Sequence, residues 1–506
     1  MKPLSLRINN QHIIKTIYRF AKKRKIKLYL VGGYIRDILL KKEKDNPDFD
    51  FCLKKDAIRF GKALAKKLKA GFVVLDKEHG CCRLVKRINP VRDLKVTEKR
   101  CDVSNGVKDK VYTLDFTDFR GKDIEKDLLH RDFTINALAL ELEKIFNKEN
   151  LNNFIIDPYK GKADLKTGLI RQVNKKGFDE DPLRILRAFS MAAIFNFKID
   201  NETLKWIKIK KAKLNNISQE RIRDELFKIL NHPLSFNYLL EMERLKILKI
   251  IFPEIEMMRG VYQGPYHHLD VFKHTLETLR QLDNLIGEVG NNKEIRDYLN
   301  EVISGDRKRR SLLKLGALLH DIGKPKARRR ENGKTKFHGH EKIGLQISEE
   351  IARRLRLSND EIDSLKKMVM WHLRPGYLAD NEEITPRATF RYFRDTAKEC
   401  VSTLLLSLAD QRATKGPLTS RESRMRHEEV VKGLIREYFR NKRKKKLPRL
   451  ITGDDLINKF KLEPSPLIGK VLREIEESQA IGKIKTKKEA LKKASEFIRA
   501  SQKCRP

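Results

Sequence analysis

The stretch VGGYIRD, residues 31–37, is followed a few residues later by DFDF at residues 48–51. Successive side chains of a β-strand point to opposite faces, so Asp48 and Asp50 would share one face at a spacing of about 7 Å. Two carboxylates so placed can hold the divalent cations used in phosphoryl or nucleotidyl transfer. The stretch therefore predicts a metal site on a strand beside a Gly-Gly turn.

The Gly-Gly turn itself is suited to a triphosphate. Gly32 and Gly33 lack Cβ atoms, so their backbone can approach phosphate groups, and the helix that follows points its positive end at the same place. Arg36 lies within reach of the same phosphates. Strand, Gly-Gly turn, helix and second strand in this order resemble nucleotidyltransferases of the DNA polymerase β type. The resemblance implies a catalytic head that uses Mg²⁺.

The charge of the chain is strongly one-sided. It contains 111 Lys and Arg against 69 Asp and Glu, a formal net charge of +42. The positive charges repel one another, and a bound polyanion offsets this repulsion. We therefore expect a nucleic acid partner. A thermophile-like surface rich in Lys, Arg and Glu would explain the charge density but not its sign.

The bulk composition also bounds the class of protein. A length of 506 residues predicts about three to four domains. We find no apolar stretch of membrane-spanning length, and the N-terminal residues lack the apolar core of a signal peptide. The six cysteines form no CxxC pair, which argues against a zinc ribbon or a disulfide framework. We expect a soluble cytoplasmic protein without a membrane partner and make no prediction of its oligomeric state.

Hydrophobic periodicity divides the chain into an α/β part and a helical part. Apolar runs at 28–31, 48–53, 72–75, 82–85 and 111–116 predict strands, and 34–42 and 57–68 predict helices. The predicted fold class is α+β, with a polymerase-β-like head followed by all-helical neck, HD and tail domains. The predicted boundaries are 1–145, 146–258, 259–440 and 441–506, with the basic run at 440–449 as a linker.

Four ordered motifs sharpen the resemblance downstream of the head strands. LLHRDFTINALAL (128–140), DPYKGKADLKTGLIR (157–171), EDPLRILRA (180–188) and SQERIRDEL (218–226) are similar to the RRDxxxNA, DPxxGxxDL, EDxxR and following-helix motifs of class II tRNA nucleotidyltransferases and bacterial poly(A) polymerases. The resemblance implies that Arg131, Asp132, Asn136 and Arg187 hold the ribose and triphosphate of CTP or ATP. The family usually has Arg where this chain has His130.

The EDPLR motif suggests how a base is selected. Residues three apart on a helix share a face, so Asp181 and Arg184 can present an acceptor and a two-pronged donor together. Cytosine and adenine both carry an exocyclic amine beside a ring-nitrogen acceptor, which such a pair can bind while rejecting guanine and uracil. In the resembling family this pair selects CTP and ATP without a template. On an isolated helix the same pair would be a surface ion pair worth only about 0.2–0.5 kcal/mol.

Two features of the head leave alternatives open. For a third metal carboxylate we consider Asp115 in VYTLDFTDF, with Asp102 as its competitor. The segment TDFRGKDIEKDLL (117–129) is short beside the mobile loop of many complete CCA-adding members, which helps the switch from CTP to ATP. CC-adding or A-adding specialists therefore stand beside full CCA addition, and a poly(A) polymerase is a further alternative.

A second constellation lies in the helical part. FKHTLETL, ALLHDIGKP and SLADQRAT supply His274, His320, Asp321 and Asp410, the pattern of HD-domain phosphohydrolases, which this region resembles. Imidazole and carboxylate ligands suit Ni²⁺, Co²⁺, Mn²⁺ or Fe²⁺, and also Mg²⁺ when oxygen dominates. His340 and His372 occur where two-metal HD proteins add ligands. His267, His268 and His338 are interpreted as core or surface groups.

Together the two constellations favour one function. An HD domain behind these motifs, with a tail containing ITGDDLI and PSPLIG, resembles bacterial CCA-adding enzymes. The resemblance implies addition of CMP and AMP to the 3′ end of tRNA, with a possible phosphatase or phosphodiesterase activity of the HD domain. One alternative is a non-catalytic RNA-binding protein, but such a protein would not need the acidic and arginine residues of the motifs. Another alternative is an HD phosphohydrolase whose N-terminal half merely recruits RNA.

Overall fold

A computed structural model of the chain describes residues 8–42, 46–88, 110–146, 150–444 and 448–503. The backbone divides into two compact units, Met1–Ile217 and Ser218–Pro506. The described cysteines, Cys52, Cys81, Cys82 and Cys400, are free thiols, as expected. Cys101 and Cys504 lie outside the described residues.

The first unit is built on a seven-stranded mixed sheet of order β3-β4-β5-β2-β1-β6-β7. Strands β2 and β5 pair in parallel, and the other neighbours are antiparallel. The strands are β1 Leu28–Val31, β2 Asp48–Leu53, β3 Gly71–Asp76, β4 Cys81–Ile88, β5 Lys110–Asp118, β6 Ala139–Glu141 and β7 Ile155–Ile156. The five predicted strands are confirmed, and the sheet gains two short strands that apolar periodicity did not reveal.

Eight helices accompany this sheet in the described residues of the first unit. They are α1 Ile8–Lys22, α2 Gly33–Leu39, α3 Ala57–Leu68, α4 Ile124–Leu129, α5 Gly161–Thr167, α6 Gly177–Glu180, α7 Arg184–Phe195 and α8 Asn201–Lys210. Two-residue strands β8 Leu169–Ile170 and β9 Lys198–Ile199 pair in parallel beside them. The predicted helices at 34–42 and 57–68 correspond to α2 and α3.

The alternation in β2 decides which face of the sheet is buried. Phe49 and Phe51 are fully buried, whereas Asp48 is exposed and Asp50 is half-buried on the opposite face. Helix α3 covers the aromatic face, where Phe116 of β5 stacks on Phe51 with ring centroids 5.0 Å apart. A Cβ at Gly61 of this helix would lie 2.4 Å from the sulfur of Cys82, so glycine permits the close approach of α3.

We expect Phe116→Ala to destabilise the head sheet by about 3–5 kcal/mol, because truncating a buried aromatic ring leaves a cavity. Hydrogen exchange of the β2 and β5 amides would measure this loss as faster exchange. Val73→Ala is the control, because the Val73 side chain is 48% exposed. Equal exchange in the two variants would contradict the buried aromatic layer.

The second unit is helical. Its helices are α9 Gln219–Leu230, α10 Ser235–Arg244, α11 Leu248–Ile251, α12 Val271–Val289, α13 Lys293–Asn300, α14 Arg309–Leu319, α15 Lys324–Ala327, α16 His340–Arg354, α17 Asn359–Trp371, α18 Arg374–Ala379, α19 Pro386–Thr396, α20 Cys400–Ala413, α21 Arg421–Arg443, α22 Gly453–Phe460, α23 Pro466–Ala480 and α24 Lys487–Lys503. Two small hairpins interrupt them, formed by β10 Val302–Ser304 with β11 Arg307–Lys308 and by β12 Arg329–Glu331 with β13 Lys334–Lys336.

The basic run at 440–449 is only partly a linker. Helix α21 continues to Arg443 and so includes the first residues of the run that the sequence predicts as a linker. Lys and Arg have high helix propensity, and cations in the last turn interact favourably with the helix dipole. Within the described ranges, none of the helices combines the length and apolar character needed to span a bilayer.

Candidate active site and candidate metal centre

Three carboxylates line up across the two parallel strands of the head sheet. Asp50 of β2 is in register with Asp115 of β5, and Asp48 lies two residues before Asp50 on the same face. Each comes from the face that α3 leaves uncovered. Asp102, the competing candidate for the third carboxylate, lies outside the described residues. Oxygen donors from two adjacent strands are the ligands that Mg²⁺ prefers.

The electrostatics of Asp50 support a cation at this place. Burial raises the pKa of Asp50, Arg131 lowers it, and the neighbouring charges of Asp115 and Asp48 raise it further, so that the net value is about 6. Carboxylates that repel each other in a half-buried site are stabilised by a bound cation. The donor set therefore fits a divalent metal ion.

Asp115 also has a protein partner that the sequence did not indicate. Arg83 of β4 donates from Nε and Nη2 to the two oxygens of Asp115, both at 2.8 Å. Arg83 and Asp115 are direct partners in the β4–β5 ladder. This two-pronged contact holds the carboxylate in a fixed orientation.

A cavity of about 320 Å³ opens beside Asp50. Asp118 and Arg120 line it together with the following sequence-predicted residues: Gly32, Gly33, Arg36, Asp50, Arg131, Asp132, Asn136, Asp181, Arg184 and Arg187. All nine residues predicted to bind nucleotide thus surround one space with one of the predicted metal carboxylates. Every one of them belongs to the first unit.

The Gly-Gly turn forms one wall of the cavity. Gly32 has φ of 74°, in the left-handed region that favours glycine. A Cβ there would lie 3.4 Å from an oxygen of Asp50 and 3.5 Å from a guanidinium nitrogen of Arg131. Glycine at this position therefore brings the backbone next to both charged groups.

A hydrogen-bonded chain forms the floor of the cavity. Arg36 donates to Asn136 Oδ1 at 2.6 Å, and the Asn136 amide donates to Asp132 Oδ1 at 2.9 Å. Arg187 donates to the other oxygen of Asp132 at 2.6 and 3.0 Å. Burial alone would raise the pKa of Asp132, but Arg187 and the hydrogen bonds lower it below its usual value. Asp132 is thereby held in its charged form, and Asn136 is held in one orientation by Arg36 and Asp132.

The sequence predicts Asp181 and Arg184 within one helix. The structure instead places them at the start of a helix. Helix α7 begins at Arg184, and Asp181 is in extended backbone just before it. Proline at 182 has a fixed φ suited to a helix start and no N–H to donate. The Arg184 N–H donates to the Asp181 carbonyl at 3.0 Å, so the turn still holds the two residues together at the cavity.

The Arg184 guanidinium is held by backbone as well. It donates to the His130 carbonyl at 2.6 Å and to the Gly177 carbonyl at 3.3 Å, and its side chain is 9% exposed. The His130 ring, which replaces the usual Arg, pairs with Glu180 at 3.1 Å. The HRD and EDPLR motifs are thus joined directly.

The second unit brings six metal-ligating side chains together. Ligand atoms of His274, His320 and Asp410 lie within 4.8 Å of one another. Asp321, His340 and His372 form a second triad with the same property. Asp321 lies between the two triads. Its Oδ2 is 3.3 Å from His320 Nε2 and 3.7 Å from His274 Nε2, so the four residues that the sequence grouped lie together. Its Oδ1 is 3.4 Å from His340 Nε2 and 3.7 Å from His372 Nε2.

The orientation of the histidines suits metal binding. Nδ1 of His320, His340 and His372 faces the carbonyl of the residue three positions earlier, at 2.9, 2.9 and 2.7 Å. Because a carbonyl only accepts, Nδ1 carries a proton in each ring, and Nε2 is the nitrogen that faces the cluster and can bind a metal ion. Nε2 of all three rings is buried without a hydrogen-bond partner in the described residues. Such orphaned imidazole nitrogens fit a divalent transition metal.

Burial and the neighbouring charged groups change the pKa values of the histidines His320 and His372 in opposite directions. Burial alone would lower the pKa of His320, but Asp321 and Asp410 raise it to about 10. Burial and the neighbouring His320 lower the pKa of His372 to about 3. Lys324 contacts an oxygen of Asp321 at 2.7 Å. In turn, His320 helps to lower the pKa values of Asp321 and Asp410 well below their usual range, against the effect of burial.

The three histidines interpreted from the sequence as core or surface groups belong to neither triad. His268 and His338 are exposed, in line with the surface interpretation. His267 packs edge-on against the His274 ring with centroids 4.7 Å apart. Burial lowers its pKa to about 3.

Comparison with known proteins matches both constellations. Residues 28–171 match the poly A polymerase head domain, residues 196–258 the probable RNA- and SrmB-binding site of polymerase A, and residues 271–415 the HD domain. The solved CCA-adding enzyme of Thermotoga maritima, complexed with tRNA, matches with a TM-score of 0.60 at 22% identity, covering 97% of this chain and 96% of that one. At this identity the likeness supports the fold.

Curated relatives give closer matches. The chain is 31% identical over 375 residues to the A-adding tRNA nucleotidyltransferase of Deinococcus radiodurans, covering 72% of this chain and 78% of the relative. It is 26% identical over 469 residues to the CC-adding tRNA nucleotidyltransferase of Synechocystis sp., covering 92% and 93%. By these motifs, matches and identities, the chain belongs to the tRNA nucleotidyltransferase and poly(A) polymerase family, with an HD domain.

Proposed function

We propose that this protein transfers CMP, AMP or both from CTP and ATP to the 3′ end of tRNA. The observation that carries the proposal is the single cavity in which Asp50 meets the nine predicted nucleotide-binding residues. The relatives are named for this reaction, and the net charge of +42 suits an RNA substrate. We place the protein in the cytoplasm with its substrates.

The cavity residues have separate parts in the proposed reaction. The Gly32–Gly33 backbone and Arg36 would bind the triphosphate, and the locked Asp132–Asn136 pair would orient the sugar. Mg²⁺ held by Asp48, Asp50 and Asp115 would, when bound, lower the pKa of the RNA 3′-hydroxyl and stabilise the leaving pyrophosphate. Arg131 and Arg187 add fixed positive charge where negative charge gathers.

A short connection supports partial addition. Strand β5 ends at Asp118 and helix α4 begins at Ile124, so only residues 119–123 link them. The resemblance associates complete CCA addition with a longer mobile loop at this point. The relatives from Deinococcus radiodurans and Synechocystis sp. are named A-adding and CC-adding. We infer that this chain adds part of the CCA sequence.

The test uses tRNAs that end before the first C, before the second C and before the A. Each is offered CTP and ATP separately, and products are read at nucleotide resolution. Incorporation of C only identifies a CC-adding enzyme, and a single A after CC identifies an A-adding one. Addition of all three nucleotides would contradict partial addition, long A tracts would point to poly(A) synthesis, and no incorporation on any tRNA would reject the proposed function.

We expect Asp181→Ala to raise the KM of the preferred nucleotide about 10- to 100-fold and to weaken rejection of UTP and GTP. The loss corresponds to about 1–3 kcal/mol, the value of a good base-edge contact. Asp179→Asn is the matched control, because Asp179 pairs with Lys210 and Lys213 and does not line the cavity. Unchanged discrimination in Asp181→Ala would remove this residue from base selection.

We also propose a phosphoesterase activity for the HD domain, on the observation of six candidate ligands in two triads, of which all but Asp410 are buried. Ni²⁺, Co²⁺, Mn²⁺ or Mg²⁺ held there would, when bound, activate a water molecule and polarise the phosphoryl group. Lys324, next to Asp321, would contribute positive charge toward a phosphate at the centre.

We propose the division 1–145, 146–258, 259–440 and 441–506 for these functions, with the last part binding tRNA. The last part has its own apolar core, which includes Leu456, Val471 and Ala494. A separate core supports a small domain of its own.

A further inference from the structure

Strands β3 and β4 present an open, partly apolar face. Phe72, Cys82 and Leu84 contact helix α3 near Gly61, so they occupy the covered face. The alternating residues Val73 and Val85 therefore point the other way, and their side chains are 48% and 38% exposed. Exposed apolar side chains next to a candidate active site indicate a binding surface.

This face continues directly into the row of acids. Arg83 lies between Cys82 and Leu84 and is paired in register with both Val73 and Asp115. Its side chain is 44% exposed although it binds Asp115. Cross-strand partners share a face, so apolar surface, guanidinium and carboxylates follow one another across the sheet.

The Gly-Gly and motif walls of the nucleotide cavity lie on the side of the acids away from β4. These walls follow β1 at Gly32 and Gly33 and precede β6 at Arg131 and Asn136, and the cavity reaches β5 at Thr117 and Asp118, after Asp115. The strand order β4-β5-β2-β1-β6 places Asp115 and Asp50 between Arg83 and those walls. In-line displacement needs the attacking oxygen and the leaving group on opposite sides of the phosphorus atom. The attacking RNA end must then approach from the side of β4.

We propose that the open face of β3 and β4 receives the 3′-terminal nucleotide of the acceptor RNA. Val73 and Val85 lie under its base, and Arg83 binds the phosphodiester that precedes the reactive 3′-hydroxyl. This inference rests on the proposed nucleotidyl transfer and specifies the site of its second substrate. An RNA end fits this face for two reasons. Its negative charge complements the exposed Arg83, and an RNA lying along the face would bring its 3′ end to Asp115.

The recognition is chemically simple. A flat base covers apolar side chains regardless of its identity, so the same surface accepts a tRNA end before and after each addition. Arg83 uses Nε and Nη2 to bind Asp115, so Nη1 is the group that would donate to a phosphate oxygen of the RNA. Arg83 is a positioning residue in this scheme.

The first test is kinetic. We expect Arg83→Gln to raise the KM for tRNA about 10-fold, equivalent to about 1.4 kcal/mol, and to change the KM for the nucleotide less than about 2-fold. Arg83→Lys should restore part of the tRNA affinity because it keeps the charge. Lys86→Gln is the matched control. This substitution removes one positive charge from the same strand, but Lys86 lies on the opposite face of the sheet.

The second test locates the RNA end directly. A tRNA with a photoreactive 4-thiouridine as its 3′-terminal base is irradiated on the full-length protein, and crosslinked peptides are mapped. We expect crosslinks within β3 or β4, reduced several-fold by Val73→Ser and Val85→Ser. We expect hydrogen exchange of the head strands to be unchanged in both variants, because the replaced side chains are exposed and the sheet stays folded.

Other results would overturn the inference. Crosslinks outside β3 and β4, or an equal rise in both KM values for Arg83→Gln, would exclude the face as the RNA site. A dimer that dissociates on Val85→Asp with unchanged KM for tRNA would make it a self-association surface instead. Absence of transfer by the unaltered protein would reject the proposed function as well, whereas normal transfer with crosslinks elsewhere rejects only this inference.

Discussion

Replacing Asp50 by Asn is expected to reduce nucleotide transfer by at least about 10³-fold, because removal of one preorganised charge-stabilising group already costs about 10²–10³-fold. Asp50 is the acid that lines the nucleotide cavity and aligns with Asp115. Asn has the same shape but no charge, so it weakens cation binding without leaving a void. Incorporation of labelled CTP and ATP into truncated tRNA measures the effect, and Mn²⁺ titration should show weaker binding.

Asp56→Asn provides the control for this prediction. Asp56 follows the same strand, is exposed and has φ of 70°, a conformation that Asn adopts readily. We expect it to keep transfer within about 2-fold, as is usual for exposed substitutions. If Asp50→Asn kept a tenth of the activity or more, the acidic row would not be the catalytic centre.

His320→Ala should abolish the proposed phosphoesterase activity, with a loss of about 10²-fold or more and little change in tRNA extension. Changes to groups that merely orient metal ligands already cost about 10- to 100-fold, so the loss of a ligand should cost at least as much. Hydrolysis of bis-p-nitrophenyl phosphate with Mn²⁺ or Ni²⁺ measures the activity, and metal content per chain should fall.

His338→Ala serves as the comparison, because His338 is exposed near His340 and belongs to neither triad. It should retain both metal and hydrolysis. A His320→Ala protein with full metal content and full hydrolysis would refute the assignment. Loss of tRNA extension in the same variant would show that the two activities are not separable.

Local pattern was sufficient to predict five of the seven head strands and the shared face of Asp48 and Asp50. Strand β2 and helix α3 have the predicted bounds, 48–53 and 57–68. In β2 the alternation of Asp and Phe matches the two-residue period of a strand with one covered face. Nucleotide-pocket residues came from motif resemblance, and the cavity gathers all nine of them.

Register and turn geometry could not be predicted in the same way. Arg83 meets Asp115 only because β4 and β5 pair in one register, which depends on long-range contacts. Asp181 and Arg184 were predicted within one helix, but the helix begins at Arg184, after Pro182. Short strands such as β7 carry too few residues for a period to be recognised.

The division of the HD ligands shows the same limit. His320 and Asp321 are neighbours at the end of helix α14, where successive side chains point about 100° apart. His320 faces His274 and Asp410, whereas Asp321 faces both His320 and the additional histidines His340 and His372. The adjacency of His320 and Asp321 in the sequence does not reveal that Asp321 reaches both triads.

The parallel pairing of β2 with β5 has a consequence for protein synthesis. Asp50 and Asp115 belong to strands separated by residues 54–109 in the chain, so they meet only after β5 has left the ribosome. Long-range strand pairing forms late because loop closure costs entropy before contacts repay it. A nascent chain shorter than 115 residues therefore lacks Asp115, and the row of three acids can form only after β5 has been synthesised and has paired with β2.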